Sequence, residues 1–149
     1  MLLSSTTSLM PPLTKPRSVN LLERLTRNSI PGILCGIVIL VLTMLPGSLF
    51  PHAKPVIGLD KVVHIFMYAG FTFACLWGYR SQFVSNGLDY KKRAILLAVI
   101  ISIAYGGLTE MIQEHVVPTR TGDWFDFFSD CLGTLLGALF FYLFFHRKK

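Results

Sequence analysis

Residues 94–145 read AILLAVIISIAYGGLTEMIQEHVVPTRTGDWFDFFSDCLGTLLGALFFYLFF. Two long apolar runs, Ala94 to Gln113 and Phe127 to Phe145, flank a short stretch in which Glu110, Glu114, Arg120, Asp123, Asp126 and Asp130 crowd together. Each run is close to the ~20 residues that a helix needs to cross ~30 Å of hydrocarbon, so the segment is predicted to form two spanning helices joined at one surface. Toward the N-terminus the pattern repeats in Val62 to Tyr79 and Ile30 to Phe50. The predicted fold class is therefore all-α: a polytopic membrane protein with four transmembrane helices in one bundle.

Composition agrees. With 52% hydrophobic and only 15% charged residues in 149, and a mean hydropathy of +0.56, the chain is too apolar for an ordinary soluble domain. Eleven of its 14 Lys and Arg residues fall in the N-terminal leader, the middle loop (Arg80, Lys91, Lys92, Arg93) and the C-terminal tail; Lys54, Lys61 and Arg120 lie in the other two loops. The positive-inside rule then places both termini in the cytoplasm. The net charge of +6 is accounted for by topology and anionic-lipid contact. A nucleic-acid partner is not expected, because the basic residues are split among short segments flanking apolar helices.

Three regions follow. Residues 1–29 form a Ser/Thr/Pro-rich basic leader, expected to be disordered, in which VNLLERLTRN (19–28) suits a short helix lying in the cytoplasmic interface. Residues 30–145 form the bundle, and 146–149 a basic cytoplasmic tail. Cys35, Cys75 and Cys131 lie within spans without CxxC spacing and read as small core residues. Gly32 with Gly36, and Gly133 with Gly137, have the GxxxG spacing that lets helix backbones approach closely.

The titratable residues are not scattered. Asp60, His64 and Tyr68 lie four apart on one face of the second span, Glu110 and Gln113 on the last turns of the third, and Asp126 and Asp130 on the first turns of the fourth. At 1.5 Å of rise per residue, all fall within one or two turns of the same surface. Ionisable groups at membrane depth are costly, and they persist where they pair or line a wet cavity. Three explanations compete. Helix capping accounts for Asp60, Asp123 or Asp126 singly, but not for Glu110 at a helix C-terminus, where the dipole disfavours an anion, nor for His64 and Asp130 inside their spans. A metal site would use His64 with Asp60, Glu110 and Asp126, an N/O set suited to a hard or borderline divalent ion. Proton chemistry or headgroup recognition would use the His64–carboxylate pairing, with Arg120 gripping a phosphate or carboxylate.

The segments DKVVHIFMY and YGGLTEMIQEHVVPTRTGDWFDFFSDCLGTLLG resemble the VanZ-like family of bacterial membrane proteins, whose pattern is a DK..H...Y segment, an E..Q pair, an Arg, and a D...N..G segment on the last helix. The corresponding positions are Asp60, Lys61, His64, Tyr68, Glu110, Gln113, Arg120, Asp126, Asp130 and Gly133; Asp130 stands where the family usually has Asn. The resemblance implies a bacterial plasma membrane and a link to susceptibility to teicoplanin, a lipid-tailed glycopeptide. The expected site is an outward-facing pocket that binds or acts on an envelope lipid or lipid-linked intermediate. Glu110, His64 and Asp126 are its expected catalytic residues; Arg120, Asp60, Lys61, Tyr68, Gln113 and Asp130 are its binding residues. A non-catalytic envelope accessory protein is the alternative, and a small proton-coupled transporter follows it.

Overall fold

The computed structural model describes residues 21–45, 58–117 and 123–146. The leader 1–20, the expected end of the first span at Phe50, Arg120 and the tail 147–149 lie outside the described residues. The described chain folds as five helices: α1 (Leu21–Met44), α2 (Leu59–Trp77), α3 (Arg80–Ser85), α4 (Leu88–Val116) and α5 (Trp124–His146). Of these, α1, α2, α4 and α5 are long and apolar enough to cross a membrane. Their outward faces carry exposed residues such as Ile33, Ile37, Leu96, Ile100, Leu135 and Leu139. Such a belt would be costly in water, and it suits contact with lipid.

Helix directions follow from the contacts. A Cβ at Gly133 would overlap the Ile65 carbonyl, and one at Gly137 the Ala69 carbonyl, so α2 and α5 run parallel along a seam that only glycine permits. Tyr68 meets Thr109 and Thr72 meets Ser102, which makes α4 antiparallel to α2. Gly32 lies against Cys75 and Gly36 against Phe71, so α1 is antiparallel to α2 as well. Both GxxxG pairs thus serve packing within the bundle. The alternation is the one that four successive crossings require, and it brings the start of α1 and the end of α5 to one side.

Two expectations are corrected. The interfacial helix and the first span form one element, since α1 runs unbroken from Leu21 through Pro31. Proline removes the bond to the carbonyl four residues earlier but is tolerated in membrane helices where neighbours compensate. Here the early turns are tied down: Asn28 Nδ2 donates to Gln82 Oε1 at 3.3 Å and Ser29 Oγ shares a 3.0 Å hydrogen bond with Tyr79 Oη. The second correction is α3, a short helix in what the sequence presented as a plain basic loop. Its anchor is Phe83, buried with Leu76, Phe141 and Phe145, while Lys91 lies over the Phe83 ring and Arg80 over that of Trp77. Cys35, Cys75 and Cys131 are free and partly buried.

Candidate functional site

Helix α2 begins just after Gly58, whose φ of 110° lies in the left-handed region that glycine tolerates. Its 3.6-residue period then aims His64 and Tyr68 into the bundle and leaves Asp60 exposed. On α4, Ser102, Gly106, Thr109, Glu110 and Gln113 form the buried stripe, while Glu114 and His115 face outward. On α5 the buried stripe begins with Asp126, Ser129 and Asp130. Because α2 and α5 are parallel and α4 opposes them, the three polar ends meet in one layer.

At the centre, His64 Nδ1 and Asp130 Oδ1 share a 2.8 Å hydrogen bond, and Glu110 Oε1 lies 3.9 Å from the same nitrogen. Asp130 is fully buried, and its Oδ2 has no hydrogen-bond partner among the described residues. Gly106 leaves room for that carboxylate, since a Cβ there would come within 3.2 Å of Oδ2. Above this pair sits an ionic rim: Lys61 Nζ donates to Asp126 Oδ1 at 2.9 Å and to Asp123 Oδ2 at 3.2 Å. The Asp123 backbone N–H donates to Glu110 Oε2 at 3.1 Å, joining the start of α5 to the end of α4.

Capping is real but local. Asp123 Oδ1 accepts the Phe125 N–H at 2.9 Å, as an N-cap does for α5, whereas Asp60 and Asp126 lie inside the first turns of their helices. The Phe125 N–H, and then Lys61, hold the Asp123 carboxyl below the usual carboxylate range. Its stabilising contribution is complete above the ordinary carboxylate value and is lost as pH falls through the depressed one.

Below the pair, Tyr68 heads a column of hydroxyls whose other members sequence reasoning had passed over. Thr109 Oγ1 donates to the Gly106 carbonyl, so the Tyr68 phenol donates to Thr109, at 2.6 Å. Thr72 Oγ1 lies 2.9 Å from both the Tyr68 carbonyl and Ser102 Oγ, and Thr134 is fully buried nearby in sequence to Asp130. The signal was present in the sequence. Ser102, Gly106, Thr109, Glu110 and Gln113 follow one another at spacings of three, four and one residues along a single helical face.

The structure therefore brings together His64, Tyr68, Glu110, Asp126 and Asp130, with Lys61 at the rim and Gln113 buried beside Glu110's turn. Asp60 stays at the exposed edge, and Arg120 lies outside the described residues. Two trios that share His64, one with Asp60 and Asp126 and one with Glu110 and Asp130, each bring three donor atoms within 4.8 Å of one another. Such a set could coordinate a hard or borderline divalent cation or pass a proton between nitrogen and oxygen. A cavity of about 650 Å³ opens between α4 and α5, lined by Glu110, Glu114 and Asp123 with Leu108, Trp124 and Phe127. Glu110 thus faces both the buried pair and a lateral opening.

No family model matches the chain, and no solved structure matches it. Among curated proteins, an uncharacterized protein of Schizosaccharomyces pombe (strain 972 / ATCC 24843), C11E3.10, is 28% identical over 113 residues, covering 76% of this chain and 63% of the relative. The chain thus spans less than two thirds of the length of that relative.

Proposed function

We propose that this multi-pass membrane protein binds, and acts by acid–base chemistry on, the headgroup of a membrane lipid or lipid-linked intermediate presented from the side of the bundle. The observation that supports it is the position of Glu110, which lines the α4–α5 opening and lies 3.9 Å from the His64 nitrogen that pairs with Asp130. In the catalytic form Glu110 and His64 exchange the proton, Asp126 and Asp130 orient the imidazole and Lys61, and Arg120 contributes the headgroup clamp. An accessory protein would use the same pocket for binding alone. A transporter fits less well, because its site belongs near the bilayer midplane and this one lies in the first turns of α2 and α5.

The proposed orientation puts both termini in the cytoplasm and the pocket on the opposite face; the bacterial plasma membrane is proposed on the VanZ-like resemblance alone. Single cysteines introduced at Lys54 and Thr121 should react with an impermeant maleimide in intact cells, and one at Asn86 only after permeabilisation. The reverse pattern would move the pocket to the cytoplasmic face.

The lipid reading is tested by photocrosslinking. A phosphatidylethanolamine carrying a tail diazirine should label peptides containing Leu108, Met111, Trp124 or Phe127, and labelling confined to other surfaces would overturn the reading. If chemistry follows binding, Glu110→Gln should retain the crosslink. It should also abolish any teicoplanin tolerance that overexpression confers on a bacterium, at unchanged protein abundance.

A further inference from the structure

A second cavity, of about 700 Å³, lies between α1 and the α2–α4 pair, at the opposite end of the helices from the polar pocket. Its floor is Phe71, Cys75 and Leu76 of α2, and its walls include Ile33, Ile37 and Leu40 of α1 with Leu97 and Ile101 of α4. The cause is geometric. Gly32 and Gly36 draw α1 tightly onto α2, while the Tyr105 hydroxyl donates to the Gly36 carbonyl at 2.7 Å and closes the deep end. Toward the start of α4 the two helices are left parted by a groove.

The polar character of the groove is confined to one end. Ser29, Tyr79, Tyr90 and Arg93 stand there, and among the described residues Arg93 is the sole charged one in the lining. Ser29 and Tyr79 satisfy each other, whereas Arg93 is exposed and has no hydrogen-bond or ion-pair partner among the described residues. From Arg93 to Tyr105 is twelve residues of α4, or ~18 Å of helix, about the depth of one leaflet of a ~30 Å hydrocarbon core. The guanidinium fork matches a phosphate, and the groove beneath it is lined by apolar side chains over that depth.

We propose that this groove is a site for one anionic phospholipid, its phosphate held by Arg93 and an acyl chain lying between α1 and α4. The charge of Arg93 decides the class: a zwitterionic lipid brings its own cation to compete with Arg93 for the phosphate, a lipid without a phosphate would leave the guanidinium unpaired, and a second protein chain would have to bring both an apolar ridge and an acid to the same depth. The site is separate from the His64 pocket and does not depend on its function.

Native mass spectrometry of the full-length protein, released from detergent with equal dioleoyl phosphatidylglycerol and dioleoyl phosphatidylcholine, tests this. One phosphatidylglycerol should be retained at least about five-fold over phosphatidylcholine, corresponding to ~1 kcal/mol of preference. Arg93→Ala should erase that preference, whereas a Lys91→Ala/Lys92→Ala pair should keep it. Leu97→Trp, which fills the groove from an exposed position, should lower retention of both lipids. Matching melting temperatures for these variants without added lipid would show that each is folded. Equal retention of the two lipids by the wild type, an undiminished preference in Arg93→Ala, or a lipid-free dimer would each overturn the proposal.

Discussion

Gly133→Ala and Gly137→Ala should each lower the stability of the detergent-solubilised protein by about 1–3 kcal/mol, the usual cost of forcing extra atoms into a packed interface. The pair should cost more than either alone. Both glycines rest on backbone carbonyls, Ile65 and Ala69, which cannot rotate away as the tip of a flexible side chain could. Relief can come only from parting α2 and α5, and that movement also stretches the 2.8 Å contact between His64 and Asp130. Gly70→Ala is the matched control, because nothing lies within 4 Å of a Cβ at that position. Thermal unfolding curves that superimpose for Gly133→Ala and Gly70→Ala would dismiss the seam as a determinant of the fold.

His64→Leu should prove unexpectedly damaging for a single interhelical contact. Measured interhelical hydrogen bonds in membrane proteins average only ~0.6 kcal/mol, which taken alone predicts a nearly neutral change. The structure changes the expectation, since Asp130 is completely buried and its other oxygen already lacks a hydrogen-bond partner among the described residues. Removing the imidazole strands the carboxylate, and breaking a buried pair in this way costs about 3–5 kcal/mol. Adding Asp130→Leu should therefore recover much of the loss, so that the double variant is more stable than His64→Leu alone. A double variant no better than the single one would show that Asp130 is accommodated without His64. In either case the double variant should lack the activity proposed for the pocket, which separates stability from function.

Much of this arrangement was legible in the sequence because a helix writes its faces into the spacing of its residues. Asp60, His64 and Tyr68, like Asp126 and Asp130, declare a common stripe and depth, and four apolar runs declare the number of crossings. What could not be read was which stripes meet. The α2–α5 seam depends on Gly133 and Gly137 finding the carbonyls of Ile65 and Ala69, and a backbone carbonyl leaves no mark in the amino-acid pattern. Glu114 crowds with the site residues along the chain, yet its turn of α4 carries it to the exposed side, where it lines only the lateral opening. Helix α3 escaped notice because six residues are too few to show a period, and Phe83 alone marks its buried side.

The pairing of His64 with Asp130 also bears on how the protein is made. Its two halves lie 66 residues apart, one on the second crossing and the other on the last. The apolar 18-residue core of α2 has a mean hydropathy of 1.3, lower than that of the corresponding stretch in each of the other three spans, because its first turns carry Asp60, Lys61 and His64. When α2 leaves the ribosome, neither Asp126, which will neutralise Lys61, nor Asp130, which will meet His64, has yet been synthesised. α2 should therefore stay without these polar partners until the final helix arrives, and biogenesis is expected to end in a late docking step rather than in four independent insertions. Chains truncated before Trp124 would be left holding an unpaired helix, a form suited to removal by membrane quality-control proteases.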